Sequence, residues 1–226
     1  MKRLLFKLTV LLSLAFISSV YSAEDEYVKL MGKVTVAKES DNWLKASVPF
    51  APIVHPKLAR FQKNRPATIE EALNVEYLDN VKVKLFLCFS NEYKKKLLRN
   101  NSLKDAQFYQ YYSSEIEYET IKIDRNTKTA HFLFPAAMAE RDGFSKGGYV
   151  KLVGYAVEIS QNGIPFEMKD SIFFDGYRED AILRKFKDQA AANADKNKGI
   201  LLPAHVIDSS YLEPSSFVKR QAGTAY

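Results

Sequence analysis

The chain has 226 residues, enough for one domain with a hydrophobic core, and a formal net charge of +6. Three of the positive charges lie in residues 1–23, which contain no acidic residue, so residues 24–226 have a net charge of +3. A charge this small does not indicate a nucleic-acid-binding protein. The single cysteine, Cys88, excludes an internal disulfide, so packing alone must hold the fold together.

The first 23 residues have the pattern of a secretory signal peptide. A basic start precedes an apolar run over 8–20, and the small residues Ser22 and Ala23 close the run. The run is shorter than the roughly 20 residues that a membrane-spanning helix needs. The sequence therefore predicts cleavage after Ser22 or Ala23 and an exported protein, in the periplasm or on the outer cell surface, that does not span the membrane.

Several segments after the signal alternate between apolar and polar residues, the period of a half-buried strand, and segment 149–159 is apolar on both faces, which is typical of a central strand. In the segment 114–124 the alternation changes phase between Tyr118 and Ile121, which predicts a β-bulge near Glu119–Thr120. The segments predicted as strands are 28–36, 43–50, 80–90, 114–124, 128–134, 149–159 and 169–174. About seven short strands with turn signals between them predict a mainly β fold, an immunoglobulin-like antiparallel β-sandwich.

Helical patterns interrupt and follow these strands. Asn91 can cap a short helix with the sequence EYKKKLLR, and Thr68 with Glu71 forms a capping box before another. The segment 177–196 has helical spacing, and its apolar stripe predicts docking on the domain's own sheet or on a second subunit. The expected organisation is a signal peptide over 1–23, a sandwich over 24–176, and a C-terminal helix followed by an arm or a poorly ordered tail over 177–226.

No catalytic pattern emerges from the candidate residues. The histidines His55, His131 and His205 lack metal-ligand spacing, and Cys88 on a strand is typical of a small buried apolar group. The alternating acids of segment 114–124 are typical of a solvated strand face. The sequence therefore predicts that the protein is not an enzyme and has no catalytic, cofactor-binding or metal-binding residues.

Two surface features and one helix stripe are candidates for partner binding. A basic cluster on the first predicted helix favours either a solvated face or contact with an acidic partner or lipid headgroups. A run of tyrosines favours either core and edge packing or recognition of a protein or a sugar. The candidate residues are Lys94, Lys95, Lys96, Tyr109, Tyr111, Tyr112, Ile182 and Phe186.

The chain resembles a family of exported pilus-like proteins from Verrucomicrobia such as Akkermansia, which are encoded with a type IV pilus-like assembly system. The resemblance is one of overall pattern over residues 24–215. The segments that carry it are WLKASVPFAP, NVKVKLFLCFSNEYKKKLL, SEIEYETIKIDRNTKTAHFLFPAAMAERDG and YVKLVGYAVEISQNGIPFEMKDSIFF. It implies an immunoglobulin-like fold, a surface or periplasmic location and no enzymatic activity.

One departure from pilins decides which role within such a system is expected. The chain lacks the pilin cleavage site, the fifth-position glutamate and the long apolar helix of a filament core. The expected function is therefore that of a non-enzymatic binding or scaffold protein, an accessory component whose partners are other pilus-like system proteins or a second copy of itself. The alternative is a carbohydrate-recognition sandwich that binds glycans through its tyrosines.

Overall fold

The computed structural model describes residues 26–39, 43–58, 68–69, 75–98, 103–142, 151–212 and 214–219. The predicted signal peptide lies outside these residues, and so does most of the predicted helix that starts at Thr68. The strands are β1 (Val28–Leu30), β2 (Thr35–Lys38), β3 (Leu44–Pro52), β4 (Tyr77–Ser90), β5 (Tyr109–Lys122), β6 (Lys128–Phe134), β7 (Leu152–Gln161), β8 (Ile164–Pro165), β9 (Ile172–Phe174), β10 (Leu202–Pro203) and β11 (Ser216–Val218). The α-helices are α1 (Glu92–Leu98), α2 (Ala136–Asp142) and α3 (Asp180–Ala194), and short 3₁₀ helices cover Asp105–Phe108, Asp195–Asn197, Ala204–Val206 and Ser209–Tyr211.

Two antiparallel sheets form a sandwich. In the first sheet β1 and β2 both pair with β3, which is followed by β6 and β10; in the second the order is β11, β5, β4 and β7, and both β8 and β9 pair with β7. The chain changes sheet between β3 and β4, between β5 and β6, and between β6 and β7. These crossings, with β3 beside β6 and β4 beside β7, are the Greek-key connections of an immunoglobulin-like sandwich. The predicted fold is confirmed.

The main core lies between the sheets and follows the period-two pattern of the sequence. In β4 the odd-numbered residues from Val81 to Phe89 are buried and face the first sheet, where Phe132 and Phe134 of β6 meet them. Each fully buried side chain of this kind contributes about 1.5–3 kcal/mol through burial. The alternation in the sequence therefore reports which face of each sheet is inside.

A second, smaller core lies on the other side of the second sheet, where α3 packs. Phe86 and Cys88 of β4 point away from the sandwich and contact a cluster that contains Phe186 and Ala190 of the helix. This third layer explains why β7 is apolar on both faces, since one face meets the first sheet and the other meets α3. The helix therefore docks on the domain's own sheet, the first of the two predicted alternatives.

The predicted phase change in β5 is present, and a neighbouring strand shares it. The register of β4 with β5 is unbroken on either side, with Asp79 opposite Thr120 and Val81 opposite Tyr118. Between these pairs Asn80 has a φ of 53°, so the two strands change phase together. The register shift lies between β5 and β11, at the step from Thr120 to Tyr118, which is the position of the predicted β-bulge.

The described residues after α3 form an arm that pairs with the edges of both sheets. After α3, β10 joins the edge of the first sheet beside β6, and β11 joins the edge of the second sheet beside β5. The buried ammonium of Lys128 links the C-terminal segment to the sandwich, because it donates hydrogen bonds to Asp124 at 2.9 Å and to Ser215 Oγ, just before β11, at 2.7 Å. A buried cation is stable only when it is paired in this way.

Candidate binding surfaces

The basic helix α1 sits at one end of the sandwich and is fixed there by its cap. The buried side chain of Asn91 accepts a hydrogen bond from the backbone N–H of Lys94 at 2.9 Å, which confirms the predicted N-cap. Lys95 bridges to Asp105 at 2.7 Å, whereas Lys94 and Lys96 are exposed. Two of the three predicted lysines are therefore exposed, and Lys94 also interacts electrostatically with Asp142.

Apolar side chains accompany these charges. Leu97 is 61% exposed and Leu98 is 58% exposed, and Tyr93 on the same helix is 41% exposed. Exposed apolar groups in a cluster rimmed by charge are typical of interaction sites. We call the set Tyr93, Lys94, Lys96, Leu97 and Leu98 the α1 patch.

The predicted tyrosine run is divided between two faces of β5. Tyr112 is fully buried in the main core, where its ring makes an edge contact with Phe134 at 4.8 Å. Its hydroxyl donates to Asp142 Oδ2 at 2.6 Å. Because no part of Tyr112 is exposed, the prediction that it contacts a partner is corrected: it is a core residue.

The carboxylate that meets Tyr112 is itself nearly buried. Burial would raise the pKa of Asp142, but hydrogen bonds from Arg141 at 2.7 Å and from Tyr112 outweigh it and hold the pKa below the usual range. The same burial and the neighbouring carboxylate raise the pKa of Tyr112. Asp142 is therefore ionised and Tyr112 protonated at neutral pH, which is the arrangement that keeps this buried hydrogen bond strong.

Tyr109 and Tyr111, on the other face of β5, belong to an aromatic cluster beneath and beside α3. Phe174 stacks on Phe186 with ring centroids 4.6 Å apart, and Tyr111 packs against Phe186 at 6.4 Å. Tyr109 makes an edge contact with Phe174 at 6.1 Å. Both tyrosines remain half-buried, whereas Phe186 is only 2% exposed and is therefore a docking residue of the helix within the chain, not a partner contact.

Ile182 lies one turn before Phe186 on α3 and is half-buried. The structure thus separates the predicted partner residues into a surface group and a packing group. The surface group has two exposed members, Lys94 and Lys96. Its other members are partly exposed: Lys95, which is ion-paired, and Tyr109, Tyr111 and Ile182. The packing group consists of Tyr112 and Phe186.

An open groove lies between the end of α3 and the start of β5, with a volume of about 390 Å³. One wall comes from Ala106, Tyr109, Gln110 and Tyr111, and the other from Gln189, Asn193, Lys196 and Asn197. We call it the amide groove. The second wall was not among the predicted site residues. The sequence feature that could have revealed this wall is the four-residue spacing of Gln189, Asn193 and Asn197, because a helix places residues with this spacing on one face.

The residues considered for catalysis are engaged in packing or in local bonds. His131 Nδ1 lies 3.0 Å from Ser47 Oγ, and His55 Nδ1 accepts a hydrogen bond from the backbone N–H of Lys57. Cys88 is fully buried, as predicted, and desolvation raises the pKa of its thiol to about 12. Two of the alternating acids, Glu115 and Glu117, share the ammonium of Lys82, an ion-paired surface.

Within the residues that the structure describes, no group of three or more histidine, cysteine, aspartate or glutamate side chains is arranged to hold a metal ion. In the same part of the chain, no helix is long and apolar enough to cross a membrane.

The sandwich has a counterpart among solved structures. A crystal structure of a protein from Akkermansia muciniphila is similar in fold, with a TM-score of 0.53 and 12% sequence identity, over 86% of this chain and 94% of that chain. Similarity at this identity demonstrates a shared fold alone. No protein-family model matches the sequence, and no curated protein matches it.

Proposed function

We propose that this chain is an exported, non-enzymatic binding or scaffold protein, an accessory component of a type IV pilus-like envelope system. The α1 patch is the observation that carries the binding role. It combines three exposed apolar side chains with two exposed lysines on a helix whose start is fixed by a buried cap. Such a mixture fits a partner that is apolar at the centre of the contact and acidic at its rim.

The assignment to a pilus-like system rests on two further supports. The sequence resembles exported pilus-like proteins of Akkermansia-type Verrucomicrobia over residues 24–215. The fold is shared with a protein from Akkermansia muciniphila. An immunoglobulin-like sandwich suits a scaffold role, because its rigid sheets present end helices and loops as recognition surfaces.

Affinity capture from envelope extracts tests the binding role. The immobilised protein is expected to retain pilus-like system components, and a Leu97→Asp/Lys96→Glu variant is expected to lose them, because it places negative charge at the centre of the α1 patch. The matched control is Met31→Asp/Lys29→Glu, which makes the same change of charge at exposed positions in β1 and directly after it. The scaffold proposal fails if those components are absent from the bound fraction and deletion of the gene leaves their assembly unchanged.

Export has its own test. Mass spectrometry of the native N-terminus is expected to find a protein that starts at Ala23 or Glu24, since cleavage is predicted after Ser22 or Ala23. A native protein that retains Met1 would contradict export.

A further inference from the structure

The amide groove contains polar side chains of two kinds, two asparagines fixed by one hydrogen bond each and two long side chains without a partner in the described part of the chain. Asn197 Nδ2 donates to the backbone carbonyl of Tyr111 at 2.8 Å, and Asn193 Nδ2 donates to the backbone carbonyl of Gln189 at 2.8 Å. Each of these bonds fixes an asparagine side chain and leaves its carbonyl oxygen as an acceptor. The side-chain amide of Gln189 and the ammonium of Lys196 have no protein partner among the described residues.

The opposite wall adds aromatic rings with hydroxyl groups. Desolvation raises the pKa of both Tyr109 and Tyr111, so both hydroxyls remain protonated in neutral solution, and that of Tyr111 is hydrogen-bonded to the buried Cys88 side chain. The rings themselves are held by Phe174 and Phe186, so this wall is rigid. A groove that combines fixed aromatic rings with several amides can pack a small ligand and hydrogen-bond around its edge at the same time.

The lining disfavours apolar ligands, multiply charged anions and extended peptides. An apolar ligand would bury the amides of the helix wall without partners, which costs free energy. A multiply charged anion would find one cation, Lys196, among the lining residues. An extended peptide would have to add to the edge of β5, but the outward carbonyl of Tyr111 is already bonded to Asn197.

We propose that the amide groove is a binding site for a short, uncharged saccharide, whose hydroxyls pair with the amides of Gln189, Asn193 and Asn197 and whose ring packs against Tyr109. A saccharide carries many hydroxyls that both donate and accept, which matches amide side chains that do the same. The volume of about 390 Å³ falls in the range of small-molecule sites. This site shares no residue with the α1 patch and does not depend on the scaffold role.

An array of immobilised neutral and acidic oligosaccharides tests the proposal with the purified protein. We expect retention of neutral glycans, and for a glycan retained on the array, titration calorimetry should show binding weakened about tenfold or more in Gln189→Ala/Asn193→Ala. The matched control, Arg184→Ala/Lys185→Ala, truncates two exposed side chains of the same helix and should bind as the wild type does. Circular dichroism of both variants establishes that the fold is retained.

Three results would overturn the saccharide site. The first is an array on which the protein retains no glycan. The second is glycan binding that Gln189→Ala/Asn193→Ala leaves unchanged. The third is retention of acidic glycans only, abolished by Lys196→Ala alone, since that pattern would show charge attraction at the surface. Loss of pilus-system capture by α1-patch variants has no bearing on any of these results, so the two proposals fail separately.

Discussion

The hydrogen bond between Tyr112 and Asp142 is the clearest case in which single atoms control stability. The Tyr112 hydroxyl is buried and donates at 2.6 Å to a carboxylate that Arg141 also contacts. Replacing Tyr112 with Phe should lower the free energy of unfolding by about 1.5–3 kcal/mol at neutral pH, since the bond is charge-assisted. Urea denaturation monitored by circular dichroism measures the loss.

The pH dependence of that loss follows from the lowered pKa of Asp142. A carboxyl group whose pKa is lower in the folded state contributes stability above its unfolded pKa, about 3.9, and this contribution disappears as the pH falls through the folded pKa. The difference between wild type and Tyr112→Phe should therefore shrink in acid. The matched control is Tyr155→Phe, because the Tyr155 hydroxyl bonds to the backbone of Val34 and interacts with an acid, Asp170, only through a longer-range electrostatic effect. An equal loss at every pH for Tyr112→Phe would contradict the role of the carboxylate.

At the scale of elements, the docking of α3 depends on a glycine in β7, Gly154, whose lack of a side chain leaves room for the helix. A methyl group on Gly154 would lie 2.7 Å from the carbonyl oxygen of Phe173 and 2.7 Å from the ring of Phe186. The carbonyl belongs to the paired strand β9 and cannot move aside easily. Gly154→Ala should therefore displace Phe186 and loosen the helix from the sheet, at a cost of about 1–3 kcal/mol.

Cys88 reports this displacement, because it lies under α3 with a thiol pKa of about 12. In the wild type a thiol reagent at mildly alkaline pH should react only after unfolding, whereas Gly154→Ala should react measurably faster while still folded. Gly163→Ala is the matched control, since its added methyl group meets no atom within 4 Å, although its φ of 80° costs about 1 kcal/mol. Equal Cys88 reactivity in the two variants would show that Gly154 does not set the helix position.

A second prediction at this scale concerns the C-terminal segment 202–219, which contains β10 and β11. A chain ending after Asp208 loses β11 and Ser215, so Lys128 keeps only Asp124 and the edge of β5 loses its partner strand. Thermal unfolding should occur at a clearly lower midpoint, because a buried cation with a missing partner is costly. A chain ending after Lys219 retains these contacts and serves as the control. An unchanged midpoint of thermal unfolding in the chain ending after Asp208 would show that the segment after Asp208 does not stabilise the fold.

These elements also show how far sequence alone could reach. Period-two segments predicted the long strands, and the stripe containing Phe186 predicted a docked helix, because many apolar positions repeat in each. Strands β10 and β11 are two and three residues long, so they contain no period to detect. Their places depend on contacts such as Lys128 to Ser215, which are distant in sequence. The same limit applies to the amide groove, whose walls come from β5 and α3.

At the scale of the whole molecule, the second sheet is shared by both cores. Its inner face packs against the first sheet and its outer face against α3, so neither core can lose its packing without exposing one face of β4 and β7. After α3 the chain crosses to the first sheet as β10 and comes back to the second as β11. These crossings tie the three layers into one packed unit, for which a single cooperative unfolding transition is expected.

Two probes on different layers test this cooperativity. Trp43, the only tryptophan, adjoins the start of β3 in the first sheet, and Cys88 lies between the second sheet and α3. Tryptophan fluorescence and the reactivity of the Cys88 thiol should therefore change at the same urea concentration. In Gly154→Ala, which weakens only the outer layer, the thiol should become reactive at a lower urea concentration than the one that changes the fluorescence. If the two probes already separate in the wild-type protein, α3 is an independently opening layer and the three-layer unit is disproved.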